Sequence, residues 1–203
     1  MNRDVYLAAV KTQLEPNIFA HSLALEACMG GLYDYFASNN LLSSAEPPRH
    51  DWTVAGLIHD IDYSGEYKPT HPQMTREVLK KYNLEISDSV HHIVLTHAPS
   101  LTGVEPVTKA DWSIFCADSL TGLITAVAFV YPTRKLADVK VSSVLKRFLK
   151  EPKFAAGTRR DEVALCSLPA GRHGRPDGLN LPIETFIDIC LRSMQSIATE
   201  LNL

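Results

Sequence analysis

Two strongly hydrated side chains stand next to each other in an otherwise apolar run, Val54-Ala55-Gly56-Leu57-Ile58-His59-Asp60-Ile61. Burying such groups without partners costs several kcal/mol, about 2–7 for a neutral polar group and more for a charge. Any fold of this segment must therefore bring a partner to His59 and Asp60, and a metal ion is the obvious one. Two other apolar helical patterns each carry one ligand-type residue. Ile18, His21, Leu25, Cys28 and Leu32 follow the three-and-four spacing of a single helix face, which turns His21 towards the core. Asp118 shares a stripe with Ile114, Phe115, Gly122 and Thr125, where an inward carboxylate needs a positive neighbour. One helix cannot surround an ion, but three packed helices can. His21, His59, Asp60 and Asp118 make a mixed nitrogen and oxygen set that suits a divalent transition metal, Mn, Fe, Co, Ni or Zn, better than Ca. His71 and His97 offer ligands from two further segments.

Helical periodicity dominates the 203 residues and strand-like alternation is scarce, so the expected class is all-α, a helical bundle with the metal site between core helices. The spacing predicts helices over residues 3–14, 16–37, 51–62, 72–82 and 87–97, then a long one opened by Pro106 and ending near Tyr131 before Pro132. Further helices are expected over 136–150, 159–167 and 183–201. Gly56 precedes the His-Asp pair by one turn and leaves room for a close neighbour. Residues 1–203 read as one domain with a core over about 16–130 and packing helices over about 136–203. Between Pro169 and Pro182 the composition is that of a mobile surface loop, and its Gly171–Gly178 part is expected to cover the cleft.

The four cysteines lie far apart within helical patterns, so reduced core thiols are expected, consistent with a cytoplasmic protein. No signal-peptide order opens the chain, and no uncharged apolar stretch approaches the roughly 18 residues of a membrane span. A net charge of -3 gives no reason to expect nucleic acid as a bulk partner.

The order His21, His59-Asp60, Asp118 resembles the HD-domain superfamily of metal-dependent phosphohydrolases. Gly56 to Tyr63 is similar to its central motif, and His71-Pro72 followed by Glu77-Val78-Leu79 to the His-Pro segment of two-metal members. Ile93 to His97 is similar to the histidine-bearing helix that follows, and Ala117 to Leu123 to the last motif. The stretch through Lys140 and Phe154-Ala155-Ala156-Gly157 is similar to a subgroup of small bacterial HD proteins. The chain departs from the cyclic-dinucleotide phosphodiesterase branch, because Ala98 stands where a second histidine would follow His97 and no Gly-Tyr-Pro signature occurs.

The resemblance implies a metal-dependent phosphohydrolase acting on a small phosphorylated compound, a nucleotide among the candidates, with one or two ions held by His21, His59, Asp60, Asp118, His71 and His97. A bound ion lowers the pKa of its water and offsets charge on a phosphoryl oxygen. If His71 and His97 hold a second ion, Asp60 would bridge the two; with one ion, a nearby acid such as Asp62 or Glu66 would handle the proton. Nine basic residues lie between Arg134 and Arg160 against two acids, and of these Lys135, Lys140 and Lys153 are the expected phosphate contacts. Plainer readings exist beside these. His71 can simply precede a helix opened by Pro72, and His97 can end its helix where the dipole favours a cation. His92 falls on a polar face and is expected in solvent, and His50 and His173 lie in loop-like segments. The same ligand order also resembles di-iron HD-type oxygenases, and a non-catalytic metal-stabilised module that binds a nucleotide or a protein partner is a third reading.

Overall fold

The computed structural model describes residues 2–168 and 178–203. Most of the loop expected over Gly171–Gly178, and His173 with it, lies outside the described residues. The chain is all-α, with no strand among the described residues. Helix α1 spans Arg3–Gln13 and opens on Asn2, whose side chain accepts the Asp4 N–H. Pro16 occupies the first turn of α2 (Pro16–Ser38), where its missing N–H has no helical partner to lose. There follow α3 (Arg49–Ile58), α4 (Thr75–Lys81), α5 (Asp88–Thr96), the short α6 (Pro99–Thr102) and the long α7 (Lys109–Val130). Helices α8 (Val141–Lys150), α9 (Arg160–Ala164) and α10 (Ile183–Ser196) complete the order.

Helices α2 and α7 are apolar nearly all round and lie at the centre, as such helices must. α2 packs against α3, α7 and α10, and α7 also against α5, α8 and α9. Trp52, Trp112, Phe36, Phe186, Leu25 and Leu57 are completely or almost completely buried in one continuous cluster, each contributing about 1.5–3 kcal/mol of apolar burial. By length and composition α7 passes as a membrane span, yet 67% of its most apolar window is buried against other helices, as in a core helix. All four cysteines are free and buried, and burial raises the thiol pKa of Cys116, Cys166 and Cys190.

Several helix ends differ from the periodic expectation, each for a local reason. α7 begins at Lys109, not Pro106, because Thr108 and Asp111 form a reciprocal capping box and Glu46 accepts the Lys109 and Ala110 N–H groups. α3 starts two residues early and takes in His50, which is half-buried in the helix and not in a loop. It ends at Ile58, where the Gly56 carbonyl receives the His59 ring at 2.9 Å. α4 begins at Thr75 because His71 and Pro72, joined by a cis peptide, belong to a turn. Residues 136–150 divide into a 3-10 turn, Leu136–Asp138, and α8.

Gly56 sets the spacing between α2 and α3. A Cβ there would stand 3.0 Å from the Glu26 Cα and N and from the Leu25 carbonyl oxygen. Only glycine lets the two backbones approach so closely, and this approach carries the C-terminal end of α3 to the second turn of α2.

Candidate metal centre

Six ligand-type side chains from five places in the chain converge. His21 comes from the second turn of α2, His59 and Asp60 from the residues just past α3, and Asp118 from the middle of α7. His71 follows the 3-10 turn Gly65–Thr70, and His97 caps α5. His21 Nε2 lies 2.9 Å from Asp118 Oδ1 and 3.1 Å from His59 Nε2. Asp60 Oδ2 approaches His59 Nε2 at 3.3 Å and His21 Nε2 at 3.7 Å. On its other side, Asp60 Oδ1 lies 3.3 Å from His71 Nε2, which is 3.1 Å from His97 Nε2. Two groups thus share Asp60: His21, His59 and Asp118 form one, and Asp60, His71 and His97 the other.

These separations fit a coordination polyhedron. Metal–nitrogen and metal–oxygen bonds of about 2.0–2.2 Å place neighbouring ligand atoms roughly 3.0–3.5 Å apart at ordinary bond angles. The protonation pattern gives a stronger fit. His59 Nδ1 faces the Gly56 carbonyl, and His97 Nδ1 faces that of Val94 at 2.5 Å. His71 Nδ1 faces Asp62 Oδ1 at 2.7 Å. The Thr121 hydroxyl spends its hydrogen on the Asp118 carbonyl, so its oxygen accepts from His21 Nδ1 at 2.9 Å. Every Nδ1 is therefore a donor, and in the neutral rings four Nε2 lone pairs point inward with the carboxylate oxygens. Lone pairs so close repel unless a cation stands among them.

The electrostatics agree. Burial disfavours the charged form of Asp118 and of Asp60, but the surrounding histidines outweigh it and hold both carboxyls below the usual range. Burial likewise works against a proton on His21, but the hydrogen bond and charge of Asp118, with Asp60 behind them, raise its pKa. His97 is pushed down to about 4 by burial and then by His59. The first group thus draws positive charge to itself, while His97 presents a neutral lone pair.

The six expected ligands are all brought together. Asp62, expected as a proton-handling acid, has another place: it is fully buried, with Oδ1 on His71 and Oδ2 accepting the Met74 N–H at 2.9 Å. It fixes the His71 ring from behind and faces away from the cleft. Glu66 is exposed and pairs with Lys81.

A cleft of about 650 Å³ opens over the ligands, walled by Ile18, Tyr63, Leu101 and the segment Ala155 to Arg159. That volume suits a small molecule. Lys135, Lys140 and Lys153, the expected phosphate contacts, are exposed and are not among the residues that line it. Each stands at or beside a turn, and such a place does not fix which way a lysine points. The cation in the cleft is Arg159, whose Nη2 donates to Asp118 Oδ2 at 2.6 Å. The only signal for it in the sequence is its position just after Phe154-Ala155-Ala156-Gly157. His92 is 41% exposed at its side chain but also stands 3.3 Å from the buried Asp111 carboxylate, so its solvent placement is only half met. No family model, curated protein or solved structure matches this chain.

Proposed function

We propose that the chain is an HD-type metal-dependent phosphohydrolase that holds two divalent transition-metal ions and acts on a small phosphorylated compound. The observation that carries this reading is the splitting of Asp60, with Oδ2 beside the two histidines and carboxylate of one group and Oδ1 beside the two histidines of the other. A carboxylate shared in this way, with histidine nitrogens converging on both sides, is what a pair of adjacent ions requires. When bound, such a pair supplies a water of lowered pKa and positive charge for phosphoryl oxygens.

The chain's own residues do the rest. Gly56, Val94, Asp62 and Thr121 fix the four rings so that Nε2 of each faces inward. Asp118 gives Oδ1 to the ligand group and keeps Oδ2 for Arg159. Ile18, Leu101 and Ala155 line the cleft beside the ligands and give it apolar walls.

The test is a panel of phosphoesters assayed with Mn, Co, Fe, Ni and Zn, coupled to elemental analysis of the purified protein. Phosphate release that depends on added metal supports the reading. Iron-dependent oxygen uptake without phosphate release would favour the oxygenase chemistry instead, and turnover of neither kind would leave a metal-stabilised binding module.

A further inference from the structure

Arg159 is the one lysine or arginine among the described residues that line the cleft. Its Nη2 donates to Asp118 Oδ2 at 2.6 Å, its Nε donates to Glu162 Oε2 at 2.5 Å, and its side chain is 47% exposed. A guanidinium carries five N–H donors in a planar fork. Two are spent on these carboxylates, so the fork retains donors for a third anion. Because Asp118 presents Oδ1 to His21 at 2.9 Å, the guanidinium stands one carboxylate away from the ligand cluster.

The neighbouring backbone holds it there. The Arg159 N–H donates to Ser119 Oγ at 2.7 Å, tying the segment to α7. The next residue, Arg160, gathers the carbonyls of Arg147, Phe148, Glu151, Phe154 and Ala155 at 2.6–3.4 Å. The turn that carries Arg159 is therefore fixed on both sides before any ligand arrives. Such preorganisation reduces the entropy lost on binding.

We infer that Arg159 binds a terminal phosphoryl oxygen of the substrate and thereby selects phosphomonoesters over phosphodiesters, an assignment that rests on the functional reading above. The argument is a count of oxygens. A monoester exposes three terminal oxygens and a diester two. If two ions were bound and each took one, only a monoester would have a third, charged oxygen to offer a guanidinium. In a diester that position is an ester substituent, which brings no charge to Arg159. The small side chains beside it, Ala155, Ala156 and Gly157, leave room for the phosphoryl group.

The test titrates methyl phosphate and dimethyl phosphate by calorimetry into metal-loaded wild-type, Arg159→Gln and Arg159→Lys protein, with bound metal counted by elemental analysis and helicity by circular dichroism. Arg159→Gln is expected to keep the wild-type metal content and helicity and to bind methyl phosphate roughly 10- to 100-fold more weakly, the loss of one charge-assisted contact. Arg159→Lys recovers part of that affinity, and dimethyl phosphate binds weakly to all three proteins alike. Equal methyl phosphate affinity in wild type and Arg159→Gln overturns the assignment, as does no methyl phosphate binding to the loaded wild type. Loss of metal from Arg159→Gln also overturns it, since Arg159 would then be a support for Asp118. If the wild type takes up no metal, the functional reading itself fails, and that failure is read before any phosphate ester is added.

Discussion

His71 Nε2 stands 3.1 Å from His97 Nε2 while the Nδ1 of each ring donates to an oxygen behind it. With both rings neutral, neither inward nitrogen carries a hydrogen, so the pair is repulsive in isolation and becomes favourable when a cation enters. The same holds for His21 and His59 across the other face of Asp60.

Asp60→Ala therefore removes one ligand oxygen from each group with a single substitution. Bound metal, measured by elemental analysis, is expected to fall to background with phosphoester hydrolysis, while helicity by circular dichroism stays near wild type. Wild-type metal content in this variant would overturn the two-group arrangement.

Asp62→Asn acts on one group only. The buried carboxylate accepts from both His71 Nδ1 and Met74 N, and an amide can accept through its single oxygen alone. Asymmetry between the two metal positions is expected: affinity at the His71–His97 position falls roughly 10- to 100-fold, and the His21–His59 position keeps its ion. Two equal losses in a metal titration would show that Asp62 supports the fold and not one ring.

How much of this was legible in the chain depends on what holds each residue. His21 and Asp118 were readable because each sits on the apolar face of a long helix, where the 3.6-residue period fixes direction. His59 and Asp60 were readable as a pair because the run before them is apolar, although α3 stops at Ile58. The Asp62–His71 bond spans a 3-10 turn, and no periodic pattern encodes it. Arg159 was hidden among nine basic residues because its direction is set by contacts made by Arg160 and Ser119. The lysines favoured in its place follow ordinary turn chemistry and point to solvent. Helix ends were misjudged where a side chain from elsewhere supplies the cap, as Glu46 does for α7.

Metal uptake should depend on pH unequally at the two positions. His21 has a raised pKa, so on the acid side of neutrality its Nε2 takes up a proton that the ion must displace. His97, lowered to about 4, is neutral there and has none to lose. As pH falls through the raised His21 value, protons compete and affinity at the His21–His59 position drops; above that value it levels off. His97 adds to the slope only as pH falls towards about 4. Calorimetry in buffers of different ionisation enthalpy should register proton release on filling the first position. Equal pH slopes at both positions would contradict the assignment of charge to His21.

Gly56→Ala weighs two opposed effects. Alanine gains about 1 kcal/mol of helix propensity over glycine, but its Cβ meets the α2 backbone at 3.0 Å in three places, and backbone atoms cannot rotate aside. Overpacking of this kind costs about 1–3 kcal/mol, so the net effect is a modest loss of stability. Because the shift moves α3 away from α2, metal affinity at the His21–His59 position should fall by more than the stability change alone explains. A stabilised variant with unaltered metal binding would show that the helices separate without cost.

Arg160→Met keeps the aliphatic stem and removes the donors that hold five carbonyls. Hydrogen bonds to a charged group contribute about 1.5–3 kcal/mol, and the exposed ends of α8 can turn to water, so a loss of about 2–3 kcal/mol is expected. For a chain of this size that lowers Tm by roughly 4–12 °C. The consequence for binding distinguishes this from a general loss of packing: once the turn is released, Arg159 swings freely and methyl phosphate binding should weaken while bound metal, held by other elements, stays constant. A fall in Tm with unchanged methyl phosphate affinity would mean that Ser119 alone suffices to hold Arg159 in place.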